Sequence, residues 1–368
     1  MQSNNLKVFF ALVRAGLWEK DAQLSQNGII DFNEVYRLAE EQSVVGLVAA
    51  GIEHVVDVKI PQAVALSFVG ASLQLEQRNI SMNLFVADLI DRMRKEDIHA
   101  LIVKGQGIAQ CYERPLWRAC GDVDLLLNDD NYSKAKQYLY TIANSFEKES
   151  GKHLGFMLDS WVVELHGWLR CGLSKKMDKI IDEVQESVFC NKEVRRWMNG
   201  NTQIFLPEVN DDVIFIFSHF IKHFYRGGLG LRQICDWCRL LWTYRDDIDC
   251  AKLEKRLRKM GLMTEWKVFA SYVVEYLGMP DKAMPLYDNN SKMKRKAGRI
   301  NRFIIKVGNF GHNRDAKKEY PFVVRKVKSF GLRVSDAIQH AFIFPIDSFC
   351  FLLKITFNGI WAATKGIG

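Results

Sequence analysis

The chain reads Arg-Ala-Cys-Gly-Asp-Val-Asp-Leu-Leu-Leu from residue 118 to residue 127. The apolar run Val123 to Leu127 predicts a buried β-strand, because short apolar runs bounded by polar turns are typical of one. Side chains alternate along a strand, so Asp122 and Asp124 share one face while their apolar neighbours point into the core. Two adjacent carboxylates repel each other unless a cation lies between them, and hard cations such as Mg²⁺ prefer oxygen ligands. The stretch therefore predicts a strand that carries a divalent metal site.

Further short elements flank this strand. Ala100 to Val103 predicts another buried strand, followed by the turn Lys104-Gly105-Gln106-Gly107 and a helix from about Ile108 to Tyr112. Beyond the acidic pair the pattern predicts one helix and two more strands, in chain order Ser133 to Ala143, His153 to Leu158 and Trp161 to His166. Strands and helices that alternate over so short a length indicate a small α/β unit with a mixed sheet.

The rest of the chain has helical periodicity. Apolar residues recur at three- and four-residue spacing between Gln62 and Arg94, and helical character extends to about Ile98. Helices are expected again from Asp211 onward, at 214–224, 235–242, 251–260 and 265–277, before a basic and weakly patterned region at 278–336. The expected fold class is α+β, with a small mixed-sheet core between N-terminal helices and a mainly helical C-terminal part. The expected divisions are an N-terminal helical segment at 1–98, the core at 99–208, a helical domain at 209–336 and an amphipathic aromatic segment at 337–368.

The basic charge of the protein is concentrated near its C-terminus. The 368 residues carry a net charge of +8, but Ser291 to Gly368 has 16 Lys and Arg against 4 Asp and Glu, and the remainder has 35 against 39. A local basic surface attracts nucleotides, nucleic acid or anionic lipid, although a solvated helix face explains the charge equally well. Eight scattered cysteines and an N-terminus without a signal-peptide pattern favour a reducing, cytoplasmic location.

Groups suited to a third metal ligand and to phosphate lie on either side of the acidic pair. Glu164 is the candidate third carboxylate, because it shares a strand face with His166 and completes a metal triad if the two strands are neighbours. Two metal ions held in this way activate an attacking oxygen and stabilise a leaving pyrophosphate. Lys104 and Gly105 lie at a strand-to-helix turn whose free N–H groups favour anions, and Arg118 offers a guanidinium for bidentate phosphate contacts.

The order of these motifs resembles the bacterial "uncharacterised nucleotidyltransferase" family of the DNA polymerase β-like nucleotidyltransferase superfamily. The matching motifs are, in chain order, Lys104-Gly105, Tyr112, Arg118, Asp122-Val123-Asp124-Leu125-Leu126 and Glu164-Leu165-His166. A looser similarity continues through His219, His223 and Asp236. The chain departs from the superfamily at Lys104-Gly105, where Gly-Ser is common, and at Glu164, where Asp is more usual. Gly167 also separates His166 from Trp168, whereas the family pattern joins His to Trp.

The resemblance implies a nucleotidyltransferase core that uses Mg²⁺ or Mn²⁺ to transfer NMP from an NTP to an unidentified acceptor hydroxyl or phosphate, with release of pyrophosphate. In this interpretation the catalytic and metal-binding residues are Asp122, Asp124 and Glu164. The nucleotide and its phosphates are bound by Lys104, Gly105, Arg118 and Gly121, and the acceptor or nucleotide cleft is lined by His166, His219 and His223. A sugar, lipid-linked or other small acceptor is favoured over RNA. Two alternatives stay open: an RNA-modifying nucleotidyltransferase that uses the basic C-terminal part, and a non-catalytic nucleotide-binding or scaffold protein.

Two further patterns have competing interpretations. His219 and His223 are one helical turn apart and precede Cys235 and Cys238, a set that suggests zinc. The stronger interpretation is that all four lie in amphipathic helices, where buried cysteines pack as apolar residues. A separate functional interpretation, which stays open beside it, is that His219, Lys222 and His223 line the acceptor or nucleotide cleft. Residues 338–361 carry an aromatic stripe at helical spacing, which packs on the protein or lies on an anionic membrane surface. Packing is favoured, and the other interpretation places the protein peripherally at the inner membrane surface.

Overall fold

The computed structural model describes residues 4–191, 193–226, 228–309, 322–345 and 348. Its helices are α1 (Asn4–Trp18), α2 (Phe32–Glu41), α3 (Val45–Glu53), α4 (Gln62–Lys95), α5 (Gly105–Ala109), α6 (Asp129–Ile142), α7 (Lys175–Asn191), α8 (Val209–Arg226), α9 (Leu231–Thr243), α10 (Cys250–Met260), α11 (Met263–Tyr272), α12 (Ser291–Val307) and α13 (Phe322–Ala341). Its strands are β1 (Leu101–Val103), β2 (Asp122–Leu126), β3 (Ser145–Phe146), β4 (His153–Leu158), β5 (Trp161–His166), β6 (Val194–Asn199) and β7 (Thr202–Pro207). The fold is α+β, as the sequence predicted.

A five-stranded mixed sheet carries the acidic pair. Its strand order is β1-β2-β5-β4-β3, and β6 and β7 form a separate hairpin. Strands β2 and β5 run parallel, whereas the other neighbours run antiparallel. The parallel register sets Asp124 opposite Glu164, and the β4–β5 hairpin sets His153 opposite His166. Because residues two apart share a face, Asp122 joins these four side chains on one side of the sheet.

The two faces of the sheet belong to different hydrophobic cores. One face packs with the C-terminal half of α4 and with α6, and its buried side chains include Val123, Leu125, Phe156, Val163 and Leu165. The opposite face carries the carboxylates, and its apolar residues Leu101, Val103 and Leu126 join the larger core that contains α8 and α9. The carboxylates therefore lie at the junction between the sheet and the helices.

The N-terminal helices pack with their backbones close together. Helices α1 and α3 cross at Gly16 and Gly51, where a methyl group on either glycine would overlap a backbone carbonyl of the other helix. Asp31 caps α2, because its side chain accepts hydrogen bonds from two backbone N–H groups of the first turn. Helix α4 is 34 residues long, and its buried residues after Ser72 pack largely on the sheet. The C-terminal half of α4 thus supports the sheet face away from the carboxylates, whereas α1, α2 and α3 pack in the larger core.

The predicted strands are present with bounds shifted by at most one residue, whereas the helix expected at about 108–112 lies three residues earlier. Helix α5 begins at Gly105 and ends at Ala109. Lys104 and Gly105 have φ values of 58° and 39°, so the turn is confined to these two residues, and Gln106 and Gly107 are already helical. The helix expected at 265–277 is α-helical only to Tyr272 and then continues as a π-helical turn, Val273–Leu277.

Several elements have no counterpart in the sequence prediction. Helix α7 and the β6–β7 hairpin were not expected, and the region at 278–336 contains α12 and most of α13. The apolar periodicity of α4 does not translate fully into burial, because Leu66 and Leu73 are exposed whereas Leu89 is buried. The division of the chain into four domains stays a prediction.

The aromatic stripe at 338–361 lies largely outside the described residues. Among those described, Ile343 and Phe344 are buried and Phe342 is exposed. No helix in the described ranges is long and apolar enough to cross a bilayer.

Candidate active site

Three carboxylates meet on the sheet face that looks toward α8. One oxygen from each of Asp122, Asp124 and Glu164 lies within 4.8 Å of the other two. The first two residues share a face of β2, and the parallel pairing with β5 brings Glu164 beside Asp124. The structure therefore brings together the three residues that the sequence predicted as metal ligands. Their role in binding a metal ion stays a prediction.

Asp124 is buried and has cationic or hydrogen-bonding partners. Its Oδ1 accepts a hydrogen bond from Lys104 Nζ at 2.7 Å and lies 2.7 Å from His166 Nε2. Burial raises the pKa of Asp124, but the charge of Lys104 and the hydrogen bond with His166 outweigh burial and leave that pKa lowered. The turn that carries Lys104 continues through Gly105, whose φ of 39° is a left-handed conformation that glycine adopts without a steric penalty.

Asp122 lacks such partners. Within the described residues, no hydrogen bond or ion pair reaches its carboxylate. Burial, followed by the negative charge of Asp124, raises the pKa of Asp122, and Lys104 opposes this only in part. The negative charge of Asp122 is therefore poorly balanced by the protein and lies beside two further carboxylates. A cation bound among the three would lower their mutual repulsion.

Glu164 contacts two imidazoles. Its Oε2 lies 3.0 Å from His153 Nε2 and 3.4 Å from His166 Nε2. The hydrogen bond with His153, and next that with His166, lowers the pKa of Glu164 far below its usual range. Glu164 therefore stays ionised, which suits a metal ligand better than a proton acceptor.

His153 was not among the site residues predicted from the sequence, although the sequence contains a signal for it. Strands β4 and β5 are joined by the two-residue turn Asp159-Ser160. A hairpin with so short a turn has a fixed register, which sets His153 directly across from His166.

The wall opposite the carboxylates is basic. A cavity of about 470 Å³ is lined on one side by the carboxylates and on the other by His219, Lys222 and His223 of α8. Residues three and four apart share a helix face, so these side chains face the sheet together. Within the described part of the chain, the Lys222 ammonium has no hydrogen-bond or ion-pair partner, and burial, followed by the charge of Arg226, lowers its pKa. The cavity thus offers a free cation across from the acidic strands.

The two histidines of this wall are neutral at physiological pH. Their Nε2 atoms lie 3.1 Å apart. Burial lowers the pKa of His219 well below its usual value, and burial with the charge of Lys222 lowers the pKa of His223 to about 4. They therefore contribute hydrogen bonds to the cavity and no positive charge.

Arg118 lines the cavity but binds α9. Its Nε and Nη2 donate to the two carboxylate oxygens of Asp236 at 2.9 and 2.7 Å, and the Tyr112 hydroxyl donates to the same carboxylate at 2.8 Å. Burial lowers the pKa of Arg118, but the charge of Asp236 outweighs it and raises that pKa well above its usual value. The bidentate phosphate contact expected from the sequence is therefore replaced by a bidentate contact with Asp236. Only Nη1 remains, buried and without a partner within the described residues.

The remaining sequence candidates are placed as follows. His166, Lys104 and Gly105 line the cavity, whereas Gly121 is exposed and is not among the lining residues. Cys235 and Cys238 are fully buried in the helical core, and within the described ranges no group of metal-type ligands includes either one. The structure therefore favours apolar packing of the cysteines over the zinc interpretation.

Comparison with known protein families identifies the family of this chain. The family model described as "Uncharacterised nucleotidyltransferase" matches residues 29–278. This range contains the whole sheet and every residue of the cavity described above. No curated protein and no solved structure matches the chain.

Proposed function

Since the chain belongs to the uncharacterised nucleotidyltransferase family, we propose that it transfers NMP from an NTP to an acceptor hydroxyl or phosphate, with a divalent ion and release of pyrophosphate. The observation that carries the proposal is the arrangement of one cavity: three carboxylates on the sheet face a basic helix across it. A nucleoside triphosphate needs both sides, because its phosphates are polyanionic and their transfer requires charge stabilisation.

Asp122, Asp124 and Glu164 are the residues that would hold the ion. Their oxygens lie within 4.8 Å of one another, and carboxylate oxygens are the ligands that Mg²⁺ and Mn²⁺ accept. The uncompensated charge of Asp122 supports the same assignment. When bound, the ion supplies Lewis-acid stabilisation of charge on the phosphate oxygens.

The phosphates would be bound by groups on both sides of the cavity. Lys222 is a cation without a protein partner in the described residues, and Lys104 lies at the edge of the carboxylates. Three residues that line the cavity each carry a buried donor nitrogen without a partner in the described residues, namely Arg118 Nη1, Arg232 Nε and Gln233 Nε2. Buried donors without acceptors are costly, so an anion that accepts from them is stabilised.

The low pKa of Glu164 affects its role. Glu164 was predicted from the sequence to be both a catalytic residue and a metal ligand. A carboxylate whose pKa is lowered by hydrogen bonds from His153 and His166 is a weak base, so the proposal keeps Glu164 as a metal ligand only.

A sugar or a lipid-linked sugar is the acceptor class that we propose. Trp168 lines the cavity, and the Arg170 guanidinium stacks over its ring at 4.6 Å, which holds the ring in place. A fixed aromatic ring next to polar groups suits a carbohydrate, which has apolar faces and polar edges.

A transfer screen tests the proposal. The protein is incubated with Mg²⁺ and each of the four NTPs labelled at the α-phosphate, together with sugar phosphates, polyprenyl phosphates or RNA. We expect label to enter one acceptor class with stoichiometric pyrophosphate release. Asp122→Asn should lower both signals by at least about 100-fold. Asp130→Asn, which changes an exposed carboxylate on α6, should lower neither. Absence of transfer and of pyrophosphate release with every combination would overturn the enzymatic proposal.

A further inference from the structure

We propose that His153, Glu164 and His166 form a second metal site, which takes a borderline divalent transition ion such as Zn²⁺ or Co²⁺. One ligand atom from each of these residues lies within 4.8 Å of the other two. The site adjoins the carboxylate set of the proposed function and shares Glu164 with it. Its existence does not depend on nucleotidyl transfer, because it is a binding site with its own ligands.

The sheet register places the three ligands on one face. His153 on β4 is directly opposite His166 on β5, and Glu164 is two residues before His166 on the same strand. Gly155, opposite Glu164, contributes no side chain to this face. All three ligands therefore come from one hairpin whose two-residue turn fixes its geometry. Sites built on paired strands are held more rigidly than sites on loops.

The two imidazoles make more close contacts with carboxylate oxygens than their N–H groups can satisfy. His153 Nε2 and His166 Nε2 lie 3.0 and 3.4 Å from the same oxygen, Glu164 Oε2, and His166 Nε2 also lies 2.7 Å from Asp124 Oδ1. A single Nε2 carries at most one hydrogen and cannot direct it at both carboxylates. One of the two contacts of His166 Nε2 with carboxylate oxygens therefore has no hydrogen atom between its two atoms. A cation bound between the nitrogen and the oxygen would stabilise this contact.

The distances match the size of such an ion. Zinc bonds to imidazole nitrogen and carboxylate oxygen are about 2.0–2.2 Å, so tetrahedral ligand atoms are separated by about 3.4 Å. The separations of 3.0 and 3.4 Å around Glu164 Oε2 are close to that value. Two histidines with one glutamate also form a recurrent ligand set of catalytic zinc sites, in which further positions stay open to water or substrate.

Ligand chemistry separates this site from the carboxylate set. Imidazole nitrogen favours Zn²⁺, Co²⁺ and related ions, whereas Mg²⁺ prefers oxygen. Asp122 belongs only to the carboxylate set, and His153 belongs only to the histidine set. The His153 side chain is 37% exposed and all three ligands line the cavity, so an ion reaches the site from solvent.

A cobalt titration tests the proposal. The full chain is titrated with Co²⁺ in excess Mg²⁺, and the visible d–d absorption of bound Co²⁺ is followed together with the bound metal after dialysis. We expect one Co²⁺ per chain with weak or absent sulfur-to-cobalt charge transfer. His153→Gln should weaken binding by about 100-fold or more, since losing even an outer-shell partner of a ligand costs 10–100-fold. Asp122→Asn should retain the band. His99→Gln should retain it too, because His99 is an exposed histidine that precedes β1 and is not one of the ligands.

The outcomes that overturn the proposal are distinct. Failure of the protein to bind Co²⁺ in excess Mg²⁺, or an unchanged affinity in His153→Gln, removes the site. Loss of the band in Asp122→Asn with retention in His153→Gln places the ion among the carboxylates and also removes it. Circular dichroism shows whether each variant is folded.

A second measurement uses the unmodified protein. X-ray absorption of the Zn²⁺-loaded chain should contain imidazole scattering from two histidines, and a shell of oxygen or sulfur alone contradicts the proposal. Neither readout requires nucleotidyl transfer. The metal site therefore survives a failed transfer screen, and a failed titration leaves the proposed function standing.

Discussion

Replacing Asp236 by alanine should destabilise the protein by about 3–5 kcal/mol, the usual cost of removing one partner from a buried ion pair. The magnitude follows from the burial of both partners: the side chains of Arg118 and Asp236 are 5% and 8% exposed. Asp236→Ala removes two acceptors of the guanidinium and the acceptor of Tyr112, and Arg118 Nη1 already lacks a partner in the described residues. The whole cationic group would then be buried without compensation.

Urea unfolding followed by tryptophan fluorescence measures the effect. Asp246→Ala is the matched control, because Asp246 is 86% exposed and its ion pair with Arg245, at 3.5 Å, should contribute less than about 1 kcal/mol. The double variant Arg118→Met/Asp236→Leu should be more stable than the sum of its single changes predicts, since it leaves neither charge unpaired. A free energy of unfolding for Asp236→Ala within 1 kcal/mol of the control's would refute the reasoning.

Three further predictions follow from the helices. Below pH 6.5 the unfolded chain protonates His223, whereas the folded chain, in which that pKa is lowered to about 4, does not. His223 alone should therefore lower stability between pH 7 and pH 5 by about 2 kcal/mol, and His223→Gln should lose this share of the pH dependence. His219, whose pKa is also lowered, adds to the fall in both proteins. Lys222→Met should weaken NTP binding about 10-fold or more, as a competition assay would show, while exposed Lys179→Met should have no effect. Gly51→Ala should lower the melting temperature through overlap with α1, a cost of about 1–3 kcal/mol, whereas Gly70→Ala, with open space around it, should raise it slightly.

The sequence was sufficient for elements whose pattern is local. Alternation in the β2 and β5 segments predicted both strands and the shared face of Asp122 and Asp124. Neither their parallel pairing nor its register could be read in this way, because the two strands are separated by α6, β3 and β4. The register that brings Glu164 to Asp124 is a tertiary property, and the sequence supported it only through the family resemblance.

Other features were missed for specific physical reasons. The β6 strand carries charged residues at consecutive positions, Arg195 and Arg196, so it shows no alternation even though Trp197 packs on the core of the sheet. Arg118 has the chemistry of a phosphate ligand. Its actual partner, Asp236, lies 118 residues away in the sequence, so no local sequence pattern predicts the ion pair. Charge type alone thus indicates which ligands a residue suits, while only the fold shows whether it is already bound.

The dependence of pyrophosphate release on Mg²⁺ tests the central claim most directly. Release from the preferred NTP is measured against Mg²⁺ concentration for the unmodified protein, for Asp122→Asn and for the exposed control Asp130→Asn. We predict no release in chelator and a saturable rise with Mg²⁺ in the unmodified protein and in the control. In Asp122→Asn the rate of release should be lowered by at least about 100-fold. Release that persists in chelator, or that is unchanged in Asp122→Asn, would contradict the assignment of the carboxylates as the metal site of a nucleotidyltransferase.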